Sequence, residues 1–110
     1  MQVRNVTVQA FTVEDVKGLD PLLVVLQDDG PGKGRLLVEC FGEAWSNYWG
    51  AMGENTTVAS FVLEAGIDYL ESKMQSPFEN RRKRSQYLRK ILGAVQDALR
   101  QRLAAGGVPS

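Results

Sequence analysis

The 110-residue chain contains no histidine and only one cysteine, and these two shortages restrict its chemistry more than anything it possesses. Without imidazole there is no Ser-His-Asp or Cys-His nucleophile system, no side chain whose ordinary pKa lies near neutrality, and no His-based metal site. Carboxylate, lysine or tyrosine chemistry stays open, but the commonest general acid-base is missing. An enzyme is therefore not expected, and no cofactor is implied. A lone cysteine, Cys40, cannot close an internal disulfide, so nothing points to an oxidising compartment. No apolar run approaches the ~20 residues that cross a bilayer. The opening stretch MQVRNVTVQAF alternates in polarity and lacks the apolar segment of a signal peptide. A cytoplasmic protein without membrane contact is the expectation.

Net charge is also missing, since thirteen Lys/Arg balance thirteen Asp/Glu. The balance hides a segregation. Through Ser76 there are five Lys/Arg against eleven Asp/Glu, a net of −6, and from Pro77 onward eight against two, a net of +6. Such asymmetry implies either an interaction surface or two parts of one chain that attract each other.

What is present reads as strands followed by helices. Val6, Val8 and Ala10 alternate with polar residues at the period of a half-buried strand, and Phe11 and Val13 fall on the opposite parity, as at a bulge or a strand end. EDVKGLDP is a connection. LLVVL, Leu22 to Leu26, is a continuous apolar run of the kind covered on both faces. A Gly/Pro-rich turn, DDGPGKGR, leads to LLVECF, in which Leu36, Val38 and Cys40 share a face. The simplest arrangement is a three-stranded antiparallel meander. Trp45, Tyr48, Trp49 and Met52 then stand at i, i+3, i+4 and i+7, which predicts a helix. A second helical segment starts from an N-cap at Asn55, Thr56 or Thr57 and carries Phe61, Val62, Ala65, Tyr69 and Leu70; Gly66 makes it one kinked helix or two short ones. After Ser76-Pro77 a long amphipathic helix carries Tyr87, Leu88, Ile91, Leu92, Val95, Ala98, Leu99 and Leu103, and Gly106-Gly107 stop it. The fold class is α+β: a three-stranded antiparallel sheet followed by three helices on one face, a single domain over residues 1–105 with a flexible tail at 106–110.

The candidate motifs separate into turn chemistry, core and charge. GPGKGR lacks the spacing of a phosphate-binding loop and suits a tight hairpin. Phe41, Trp45, Tyr48 and Trp49 form a core-facing stripe, or else a platform on which bases stack. Cys40, in register with Leu36 and Val38, reads as a buried thiol. Asp28 and Asp29 beside the turn, and Glu14 and Asp15 in the first connection, form a candidate acidic interaction patch; Asp-Asp-Gly is explained by turn chemistry without a metal. Arg81, Arg82, Lys83 and Arg84 open the last helix, where the macrodipole disfavours cations. With Arg89 and Lys90 they form the candidate contact to a partner protein or to nucleic-acid phosphates. The apolar stripe of that helix also admits a symmetric homodimer.

The segments GLDP, PGKG and DYL, together with the block Cys40, Phe41, Gly42, Ala44, Trp45, Tyr48, Trp49, Gly50, Met52 and Gly53, resemble a group of small proteins encoded by temperate phages and prophages of proteobacteria. The likeness runs from the first connection to the last helix. It implies a non-catalytic binder that redirects or blocks a host protein or ribonucleoprotein complex in the cytoplasm of the infected bacterium, with inhibition of a defence system such as CRISPR-Cas as one such activity. The acidic balance of residues 1 to 76 would suit imitation of DNA. The alternative is a nucleic-acid-binding accessory protein that uses the basic C-terminal helix.

Overall fold

A computed structural model describes residues 1–6, 8–74 and 81–106, with the backbone alone for residues 81–85. Four strands come first: β1 (Val8–Val13), β2 (Leu22–Asp28), β3 (Gly34–Cys40) and β4 (Glu43–Trp49). Three helices follow: α1 (Val58–Glu64), α2 (Ile67–Met74) and α3 (Arg81–Ala104). The sheet is an antiparallel meander in the order β1-β2-β3-β4. The α+β class and the count of three helices agree with the sequence pattern, the second predicted helical segment supplying two of them. The strand number does not: the sheet has four strands, because the segment predicted as the first helix is β4.

The reason lies in an ambiguity of spacing. Trp45 and Trp49 are four residues apart, which puts them on one face of a helix and equally on one face of a strand. In β4 the burial alternates, with Trp45 and Trp49 buried and Ala44, Ser46 and Tyr48 exposed. Trp45 pairs with Val38, and Trp49 pairs with Gly34. The parity of β1 is also the reverse of that expected. Its pairing with β2 is continuous from Val8 to Val13, and it places Phe11 beside Val24 and Val13 beside Leu22 on the inner face. The larger pair takes the core, and Val6 and Val8 stay exposed.

The inner face of the sheet (Leu22, Val24, Leu26, Leu36, Val38, Cys40, Trp45, Trp49) meets Val58, Ala59 and Val62 of α1, Leu70 and Met74 of α2, and the α3 stripe Leu88, Ile91, Leu92, Val95 and Leu99. Leu103, placed on that stripe by its spacing, is exposed instead. At about 25 cal/mol per Å² of apolar area, this single core is the main source of stability. Thr57 is the N-cap of α1: its hydroxyl accepts from the Ser60 N–H, and Ser60 Oγ accepts from the Thr57 N–H. The chain breaks at Ala65-Gly66, giving two short helices. The buried Gln96 of α3 stitches the break, its Nε2 donating to the carbonyls of Val62 at 3.0 Å and Ala65 at 2.7 Å. α3 closes at Gly106, in the left-handed region with φ 80, whose N–H donates to the Leu103 carbonyl. The Ser76-Pro77 boundary and tail residues 107–110 lie outside the described residues.

Candidate partner-binding surface

The two β hairpins resolve their turns differently. Between β2 and β3, Asp29 N–H donates to the Lys33 carbonyl at 2.8 Å, while Gly30 and Gly32 take φ of 116 and 69. A Cβ on Gly32 would sit 2.6 Å from the Gly53 carbonyl oxygen, and one on Gly34 would collide with Gln27 backbone and the Val58 side chain. The glycine-rich turn thus serves close packing and positive φ, as its composition suggested.

Between β3 and β4, the last register pair is Cys40 with Glu43, so Phe41 and Gly42 are the two residues of a tight turn. Both have positive φ, 51 and 79, the geometry of a type I′ turn. Asn-Gly or Asp-Gly is the ordinary choice for such a turn. A phenylalanine in the left-handed region costs roughly 1–2 kcal/mol, and Phe41 recovers none of it by burial, since 81% of it faces solvent. Sequence spacing had grouped Phe41 with the core-facing aromatics. The signal that could have separated it is the Phe-Gly pair sitting between two alternating runs.

The base of this hairpin is tied to α3. Cys40 Sγ and Tyr87 Oη share a hydrogen bond at 3.2 Å, and the Trp45 and Tyr87 rings lie 6.3 Å apart. The Cys40 bond, reinforced by burial, pushes the Tyr87 phenol up to about 12, with Asp20 and Glu43 close enough to add to the rise. A buried Cys40 agrees with the sequence reading. Glu14, Asp15 and Asp20 are exposed in the β1–β2 connection, at the same end of the sheet as Phe41. The hairpin tip is therefore an exposed apolar knob, and charges of both signs, Glu14, Asp15 and Asp20 with Lys17 and Lys90, stand at the same end of the domain.

The four residues of the expected acidic patch are not brought together. Asp28 and Asp29 occupy the opposite end of the sheet from Glu14 and Asp15, separated by the length of β2. Asp28 Oδ1 accepts the Val58 N–H at 2.9 Å at the start of α1, and Asp29 pairs with Arg4 at 3.0 Å. Glu14 accepts the Thr12 hydroxyl at 2.9 Å, and Asp15 has φ 62. Among the described residues no group of three metal-ligating side chains is assembled.

Of the candidate cations, the side chains of Arg89 and Lys90 are described. The side chains of Arg81, Arg82, Lys83 and Arg84 lie outside the described residues. Arg89 hydrogen-bonds Asp68 and Glu71 of α2, and the Asp68 bond raises its pKa further. Lys90 is exposed and rests against Gly18. Beyond the predicted set, the Arg102 guanidinium stacks 4.3 Å from the Phe11 ring centroid, and Arg100 pairs with Asp97 at 2.9 Å. Among the described cations of α3, Arg89 and Arg102 are thus engaged by other elements of the protein.

Two further surfaces were not legible in the sequence. An open cleft of about 670 Å³ lies between the β4–α1 connection, α1 and the start of α2. Met52, Phe61 and Tyr69 line it, and the Trp49 Nε1–H donates to Tyr69 Oη at 3.0 Å beneath them. The outer face of the sheet carries no described helix, and Val8, Leu23 and Tyr48 on it are 45%, 37% and 44% exposed. Among the described residues LLVVL is therefore covered by helices on one face, not on both.

No described helix is long and apolar enough to cross a membrane. A family model, that of the phage family Phage_phiTE_072, matches residues 1–86, which takes in the sheet, α1, α2 and the first residues of α3. No curated protein and no solved structure matches the chain.

Proposed function

The chain belongs to the phage family Phage_phiTE_072, and from that premise we propose that it is a non-enzymatic binding protein that acts on a host protein complex, defence machinery such as a CRISPR-Cas effector being the target class. One observation supports this above the others. Phe41 is held with φ 51 and 81% exposed, at a place where asparagine would be more stable. A residue that costs stability and gains no burial in the free protein gains it on contact, and solvent-facing aromatics on rigid supports are the usual anchors of protein interfaces. The fitting partner surface is an apolar pocket that takes up the Phe41 ring. The absence of histidine favours action by contact over turnover.

The test compares wild type with Phe41→Asn in a phage-infection assay on a host carrying an active CRISPR-Cas system, alongside capture of the effector on immobilised protein. Wild type restores infection and retains the complex, and F41N does neither while remaining folded. Equal activity of the two proteins overturns the role of Phe41, and no effect of wild type in any defended host overturns the proposal itself.

A further inference from the structure

The outer face of the sheet is a grid of three rows, set by the strand register. One row is Thr12, Leu23, Glu39 and Ala44; the middle row is Ala10, Val25, Leu37 and Ser46; the third is Val8, Gln27, Arg35 and Tyr48. Seven of the twelve side chains are apolar or aromatic, more than the solvated face of an antiparallel sheet ordinarily carries. Within β3, Arg35 and Glu39 stand two positions either side of Leu37. The grid is therefore complementary to itself. A twofold axis lying above Leu37, parallel to the sheet and perpendicular to the strands, sets Arg35 of one copy over Glu39 of the other and Glu39 over Arg35. The same operation sets the small Ala44 against the large Tyr48, and Val25 and Leu37 against their own equivalents. An axis along the strands would instead leave each charge row facing itself.

We propose that a second copy of this chain covers the outer face, two sheets packing face to face with reciprocal Arg35–Glu39 pairs. Four strands about 4.8 Å apart and about 20 Å long give roughly 400 Å² of footprint per copy, so that, with side-chain relief, the pair buries on the order of 1,000 Å², the lower bound of a specific interface. The dimer is accordingly weak, dissociating in the micromolar range or above. This differs from the dimer anticipated from the α3 stripe, which the domain's own sheet covers: Leu88, Ile91, Leu92, Val95 and Leu99 are at most 1% exposed. Face-to-face pairing leaves the Phe41 tips at opposite ends of the assembly, so association does not depend on the proposed host contact.

Sedimentation equilibrium over a wide concentration range reads the 12.2 kDa chain as monomer or dimer. Wild type shifts from monomer to dimer as concentration rises. Arg35→Glu sets like charges across the axis and weakens association at least about tenfold; Glu39→Arg does the same. The double variant R35E/E39R recovers wild-type association, because the reciprocal pairs re-form with their signs exchanged. Leu37→Lys, a half-buried position on the outer face and outside the core, is monomeric throughout, with retained cooperative thermal unfolding as the folding control. A wild-type protein that stays monomeric at millimolar concentration overturns the proposal. So does a dimer indifferent to R35E, or a double variant no better than either single one.

Discussion

Single residues carry the sharpest conflict between local preference and observed conformation. Phe41 in the left-handed region gives up stability that the common turn residues would keep, so Phe41→Asn is expected to raise stability by about 1 kcal/mol, roughly 4 °C in Tm, in the same variant that loses partner binding. Differential scanning calorimetry checks it, and a lower Tm would mean the ring contributes to folding. Tyr87 supplies a pH signature. Its phenol is raised from 10.0 to about 12. The folded state then keeps a proton that the unfolded chain loses, so the contribution is whole below about pH 10 and vanishes as pH climbs through about 12. Urea midpoints of wild type should fall more steeply than those of Tyr87→Phe across that window, and at neutral pH the variant should be weaker by about 1 kcal/mol. The glycines of the β2–β3 turn were readable from composition because turn chemistry is local. Phe41 was not, because its exposure depends on knowing that two strands, and not a strand and a helix, flank it.

At the scale of elements, spacing separated helix from strand wherever the apolar set was long, and failed where it was short. The α3 stripe spans several turns, so a period near 3.6 has no competitor. In β4 two tryptophans four apart satisfy both periods, and only the exposure of Tyr48 distinguishes them. The break between α1 and α2 was legible from Gly66, but its repair by Gln96 was not, since a polar residue on an apolar stripe carries no label of its distant partner. Gln96→Leu removes two hydrogen bonds and leaves the Val62 and Ala65 carbonyls without their side-chain donor. The expected cost is about 2 kcal/mol in chemical denaturation. Hydrogen exchange should show α1 and α2 opening first; uniform loosening of the whole fold would contradict a local role.

For the whole molecule, the acidic body and basic terminal helix are in part partners of each other. Arg89 reaches Asp68 and Glu71, with side-chain exposures of 40%, 88% and 16%, so most of the Asp68 pairing is screened by water. Arg89→Ala should therefore lower the urea midpoint only slightly, and its deficit should shrink as salt is added. A larger loss would place that pairing at the centre of α3 docking. By itself, the sequence determined the α+β class, the stripe that α3 buries, the turn between β2 and β3 and the lack of catalytic imidazole, all properties of neighbouring residues or of composition. Only the tertiary structure decided which parity of β1 faces inward, which of the described charges are paired internally, and that all three described helices pack on one side of the sheet. Those outcomes depend on where the helices come to rest against the strands, and that docking is fixed by the summed burial of residues far apart in the chain, which no local pattern records.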